Sequence, residues 1–223
     1  SGWDMSASGL AAVWASENSR EAIVAAFKRK EVYATSGPRI QLRFFAGWNF
    51  KSRDAREAGL AKRGYSRGVP MGGVLPVSSK SKAPSFLVEA ARDPKGANLD
   101  RIQIVKGWVD EQGKTHERVY NVAASSERKI AADGTLSAVG NTVDLETAHY
   151  TNDIGDTRIA SHWIDPDFDS TQSAFYYARV LQIPTPRHSL YDAIALQVEH
   201  PKDKAATIQE RAYSSPIWYT PDH

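Results

Sequence analysis

The chain has 223 residues, 41% of them apolar and 24% charged, which is enough for one large domain, or a domain with an appendage, to bury a core. The absence of cysteine excludes disulfides, thiolate nucleophiles and cysteine-based zinc sites, and suits a periplasm or a cytoplasm equally. Against 26 acidic residues, 28 basic ones leave a net charge of +2, too small for a general nucleic-acid binder.

No run approaches the roughly 18 apolar residues of a membrane helix. The early SGLAAVWA lacks the basic start and long apolar run of a signal peptide. The chain opens on Ser1 rather than a methionine, which leaves its compartment open. The first predicted element is a helix over Ser19–Lys30, with Asn18 as N-cap and Glu21 three residues later, as in a capping box. Ala22, Ile23, Ala26 and Phe27 share one face, and Lys28, Arg29 and Lys30 fill the last turn, where the helix dipole favours cations. Burying Ile23 and Phe27 is worth roughly 1.5–3 kcal/mol each. A short helix cannot supply that burial to itself, so this face is expected to meet a partner surface or to drive self-association.

The stretch EVYATSGPRIQLRFF follows. It starts as a buried strand, breaks at Thr35-Ser36-Gly37-Pro38-Arg39 and resumes with Ile40, Leu42 and Phe44 alternating against Gln41 and Arg43. Glycine and proline together make a sharp corner by sterics alone. Arg39 beside the hydroxyls of Thr35 and Ser36 would also suit a phosphate or a carboxylate, so the break is either a corner between layers or the rim of a site.

Between Lys51 and Arg67 lie six basic residues, Lys51, Arg53, Arg56, Lys62, Arg63 and Arg67, against Asp54 and Glu57, and Lys80 and Lys82 come after. A helix over Ser52–Lys62 has only Ala55, Ala58 and Ala61 as an apolar stripe, and little holds it. The glycines and prolines of GYSRGVPMGGVLPVSSKSKAP read as irregular chain over a surface. Gly72-Gly73 fits no phosphate-loop spacing. From Ser85 onward the pattern is strand and turn: SFLVEAAR, LDRIQIVKGWVD, THERVYNVAAS, NTVDLETAHY, TRIASHWID, SAFYYARVLQI and ATIQERAYSSPIWY, joined by DPKGAN, DEQGK, AADGT and NDIGD. No helical stretch separates these strands, so an antiparallel sandwich is expected. In SAFYYARVLQI, Phe175, Tyr177 and Leu181 face one way, and Tyr176, Ala178 and Val180 the other.

For chemistry, His116, His149, His162, His188, His200 and His223 show neither HxH nor HExxH spacing. His162, near Asp165, Asp167 and Asp169, is the best placed for a metal. DPDFDSTQSAFY starts like a calcium loop and fails where Ser170 replaces glycine and Tyr176 the closing glutamate. There is no GxSxG elbow. Trp48, Trp108, Trp163 and Trp218 lie in separate strands or strand ends, where core packing accounts for them.

The phrases SASGLAAVWASENSREAIVAAFKRKEVYATSGPRI, DPKGANLDRIQIVKGWVD, GNTVDLETAHYTNDIG and IQERAYSSPIWYTP closely resemble the bacterial domain-of-unknown-function family 3604. That family in turn resembles metal-dependent hydrolases of the polymerase-and-histidinol-phosphatase superfamily. In those relatives a distorted barrel holds divalent metals through an early HxH and a late DxH, neither of which occurs in this chain. The resemblance therefore implies the carboxyl-terminal part of a phosphoesterase-like hydrolase, with no cofactor in this chain and divalent ions in the longer protein. The expected class is α+β, mainly β. Residues 1–46 would be closing elements of a hydrolase-like barrel, 47–84 an irregular basic connection, and 85–223 an antiparallel β-sandwich. Implied partners are the amino-terminal barrel portion and a small anionic substrate met by Thr35, Ser36 and Arg39. The alternative is a sandwich that binds a glycan or a protein.

Overall fold

The computed structural model describes residues 2–5, 8–78 and 82–221; Lys80 and His223 of the expectations above lie outside the described residues. In chain order, after a 3-10 turn at Gly2–Asp4, come β1 (Leu10–Val13), helix α1 (Arg20–Lys28), β2 (Val32–Thr35) and β3 (Gln41–Gly47). Helices α2 (Ser52–Arg56) and α3 (Leu60–Arg67) are followed by the short strands β4 (Val69–Pro70) and β5 (Val74–Leu75). Then come β6 (Ser85–Ala91), β7 (Leu99–Val109), β8 (Thr115–Ala124), β9 (Arg158–Ile164), β10 (Ala174–Gln182) and β11 (Thr185–Pro186). Helix α4 (His188–Leu196), β12 (Thr207–Ile208), β13 (Arg211–Ser214) and β14 (Ile217–Tyr219) complete the chain. Among the described residues no helix is long and apolar enough to cross a membrane.

The class is mainly β, built from two large sheets that do not close into a barrel, with a separate two-stranded pairing of β11 and β12. In the front sheet β10 is central. It pairs antiparallel with β7 along one edge, and along the other with β14 over Ala174–Tyr176 and with β13 over Arg179–Leu181. The sheet extends through β8 beyond β7, through β2 and β1 beyond β13, and through a parallel β5 beyond β14. The back sheet runs β4-β3-β6-β9, all antiparallel. The TSGPR break carries the chain from β2 in the front sheet to β3 in the back one, so it is the corner between two layers.

The core lies between the sheets. Leu42 and Phe44 of β3 and Phe86 and Val88 of β6 meet Ile102 and Ile104 of β7 and Tyr176, Ala178 and Val180 of β10. Phe86 stacks on Phe44 at 5.6 Å and leans on Tyr176 at 4.7 Å. Each such side chain contributes roughly 1.5–3 kcal/mol by burial. Where the sheet edges approach, the Ser161 hydroxyl of β9 donates to the Val122 carbonyl of β8 at 2.7 Å.

Several elements differ from their sequence expectation, each for a local reason. Ser19, not Asn18, caps α1: its Oγ accepts from the Ala22 amide at 3.2 Å. Within α1, Ala26 is buried and Phe27 is 49% exposed. The weak stretch Ser52–Lys62 becomes two helices, because the outward side chains Phe45 and Leu87 of the back sheet give Ala55 and Leu60 a surface to cover. Arg63 binds the Asp54, Glu57 and Ala58 carbonyls, and Arg67 meets the Asp54 carboxylate at 2.7 Å, so two of the basic residues staple this pair. NTVDLETAHY is not a strand: the Asn141 and Asp144 side chains accept from nearby amides and turn the backbone, leaving one bridge, Asp144 to His149. Helix α4 was not expected. Its start, after Pro186, has Arg187 in place of a side-chain cap, and it anchors through buried Leu190 and Ala193.

Candidate functional site

Strand β10 builds the site by simple alternation. With Tyr176, Ala178 and Val180 turned into the core, Phe175, Tyr177 and Leu181 stand on the outer face of the front sheet, where Leu181 is buried just before the register shifts at Gln182. Opposite Phe175 in β7 is Gly107, where a Cβ atom would sit 2.3 Å from the Phe175 ring. Only glycine lets that ring settle against the sheet. On the other side of Phe175 the register places Trp218 of β14, whose neighbours Ile217 and Tyr219 point inward. The two rings lie 5.3 Å apart, and Trp218 keeps 43% of its surface exposed. Tyr177 at 6.5 Å and Tyr213 at a further 6.3 Å prolong the row.

A cleft of about 680 Å³ opens here, lined by Phe175, Trp218 and Glu117 with Thr115, Ser173 and Thr220, and also by Trp108 and His116, which the strand register turns to the inner side of the sheet. His116 stacks on Trp108 at 5.2 Å and is held by Asp110 at 2.6 Å. That contact with His116, with help from the Lys114 and Gln112 amides, keeps the Asp110 carboxyl below the usual carboxylate range. Of the four tryptophans that the sequence assigns to core packing, Trp48, Trp108 and Trp163 pack against the core, and Trp218 stands largely outside, at the cleft. A glycine and a phenylalanine on separate strands were the remaining signal, and only the strand register joins them.

Behind the cleft Lys106 is buried. Its ammonium donates to the Asp165 carboxylate and to the Asp167 carbonyl, both at 2.7 Å, and the Tyr176 hydroxyl donates to the same Asp165 oxygen at 2.7 Å. Burial and the Asp165 charge push the Tyr176 hydroxyl upward in pKa. The Asp167 carboxylate takes the Tyr120 hydroxyl and Arg118, while Asp169 accepts from Thr171. His162 lies on the opposite face of the back sheet, its Nε2 3.0 Å from the Phe50 carbonyl, and burial lowers its pKa. These four metal candidates are thus not brought together. Among the described residues no group of three or more histidine and carboxylate side chains is placed to hold a metal ion.

At the corner, Thr35 is buried and its hydroxyl accepts from Gly37. Ser36 donates to the Glu210 carboxylate and accepts from the Arg211 amide at 2.8 Å. Arg39 is exposed, and its amide donates to Asp93 at 2.8 Å. The two hydroxyls have protein partners, and Glu210 adds a negative charge beside Ser36. Gly37, with φ at 151°, supplies the bend.

A family model described as "Protein of unknown function (DUF3604)" matches residues 1–221. No curated protein and no solved structure matches the chain.

Proposed function

Because the chain belongs to this family of unknown function, we propose a role from its geometry: it is a ligand-binding β-sandwich whose front-sheet cleft takes a neutral glycan. The observation that carries this reading is Trp218, 43% exposed beside Phe175 at the wall of a 680 Å³ cleft. A half-bare tryptophan in a concave apolar site costs solvation unless something covers it. A sugar ring fits the mixture found there, since its C–H face packs on aromatic rings while its hydroxyls meet Glu117, Thr115 and Ser173 at the edge. With one carboxylate in the lining, a polyanion is disfavoured.

The test is calorimetric titration of the chain with neutral β-linked glucose and xylose oligosaccharides. We expect saturable binding, weakened at least tenfold, about 1.4 kcal/mol, by Trp218→Ala. The reading fails if no neutral oligosaccharide binds, or if Trp218→Ala and Phe175→Ala bind as well as the native chain.

A second reading is the carboxyl-terminal portion of a metal-dependent hydrolase related to the polymerase-and-histidinol-phosphatase superfamily, with the sandwich supporting a barrel and Thr35, Ser36 and Arg39 turned toward its anionic substrate. It is favoured by an uncovered apolar strip: Val24 and Phe27 of α1 are 44% and 49% exposed, and Leu10 of the edge strand β1 is 41% exposed. Such a strip suits contact with further polypeptide, or with a second copy of the chain. The described residues do not fit a divalent ion, so in this reading the metals are held outside them. Chelator-sensitive phosphoesterase activity of a longer gene product supports it; a metal-free, inactive product overturns it.

A further inference from the structure

Helices α2 and α3 cover part of the outer face of the back sheet. Beside them is a second pocket of about 260 Å³, lined by Trp14, Gln41, Arg43, Glu89, Ala91 and Arg158. The strand register makes this a built arrangement. Leu42 and Phe44 turn inward with no exposed surface, so Gln41 and Arg43 stand outward, with Ala91 and Glu89 opposite them on β6 and Arg158 opposite Ala91 on β9. Ala91 is small and leaves the floor open.

Arg43 is held in place by Trp14. Its guanidinium carbon lies 3.5 Å from the centre of the Trp14 ring, and the Trp14 indole N–H is fixed on the Leu42 carbonyl at 2.8 Å. The Tyr65 hydroxyl donates to the buried Glu31. Glu31 also takes Arg29. Glu89 is occupied by Arg158. The charged groups lining the pocket are thus two guanidinium groups against one carboxylate, an excess of one positive charge.

We propose that this pocket binds the carboxylate of a small organic acid, with Arg43 as the docking guanidinium and the Gln41 amide as a second donor. A guanidinium clamped flat on an indole presents its N–H edge as a preset fork that matches a planar two-oxygen group. Glu89 tunes the site against multiply charged anions such as phosphate, and the single net positive charge matches a monoanion. The site is distinct from the front-sheet cleft and does not depend on it.

The experiment is a nuclear magnetic resonance titration of the isotope-labelled chain with acetate and with glucuronate, at constant ionic strength set by chloride. The Trp14 indole N–H and the Arg43 side-chain signals are followed, with inorganic phosphate as the competing probe. The expected result is a saturable shift with both carboxylates, at least tenfold weaker in Arg43→Gln and several-fold weaker in Gln41→Ala. The second variant leaves the Trp14 stack intact and keeps the test valid if Arg43→Gln does not fold. The proposal is overturned by any of three results: no saturable shift with a carboxylate, tighter binding of phosphate than of either carboxylate, or unchanged affinity in the folded variants.

Discussion

The two outer faces of the sandwich carry similar side chains and are finished differently. On the back sheet Phe45 and Leu87 point outward and are buried by α2 and α3, with Gly64 of α3 packed so closely that a Cβ there would sit 2.5 Å from the Phe45 ring. On the front sheet Phe175, Tyr177 and Trp218 point outward, and Trp218 remains 43% exposed. Where the fold requires an outward aromatic to be dry, the chain supplies its own cover. An outward aromatic left half-bare is available to a ligand.

The comparison can be broken by substitution. The largest effect is expected at the buried charges shared by both faces: Asp165→Asn leaves the Lys106 ammonium uncompensated between the sheets, and should cost toward the upper end of roughly 3–5 kcal/mol in urea unfolding. A loss near zero would mean that the pair contributes little to holding the sheets together. Next, Phe45→Ala under the helices should destabilise by about 3 kcal/mol or somewhat more and leave oligosaccharide binding unchanged. Trp218→Ala should do the reverse, costing about 1 kcal/mol or less of stability while removing binding. Equal stability losses at the two positions would erase the distinction between a covered face and an available one.

The smallest effect concerns pH. Burial alone would raise the Asp54 carboxyl, but Arg67, the Lys51 amide and Arg63 outweigh it and hold its pKa below the ordinary value. A carboxyl depressed in the folded state contributes stability that is full above the unfolded pKa of about 3.9 and is lost as pH falls through the lower folded value. The helical cover should therefore loosen in acid, seen as faster amide exchange in α2 and α3, and Asp54→Asn should flatten that dependence. On the front face Trp218 is already 43% exposed, so acid has less cover to loosen there.

Much of this fold is legible in the sequence because alternation is a local signal. The runs that become β6, β7 and β10 alternate or stay apolar over seven residues or more, and turn-forming Asp and Gly mark their ends. The adjacent pair Phe44-Phe45 was the overlooked clue to the helices, since neighbours in a strand face opposite ways and both of these are buried. The cleft was not legible. Whether Trp218 or Ile217 faces the core depends on which strand lies beside β14, and the Phe175–Gly107 fit depends on a pairing across some seventy residues of chain. Likewise the acidic run from Asp165 looks like a cation loop until a lysine from β7 is found to fill its centre.

The glycine pair that matched no phosphate loop has a consequence of its own. Gly72, at φ 85°, passes so near the end of α1 that a Cβ there would lie 2.2 Å from the Lys30 carbonyl, and its amide bonds the Pro216 carbonyl. Gly73 accepts from the Trp218 amide, just before β5 joins β14. The tilt of the tryptophan wall is thereby set by a hinge pin of bare backbone lodged between the first helix and the last strand. A family member that gains a side chain at this point must either shift its helix or open its groove.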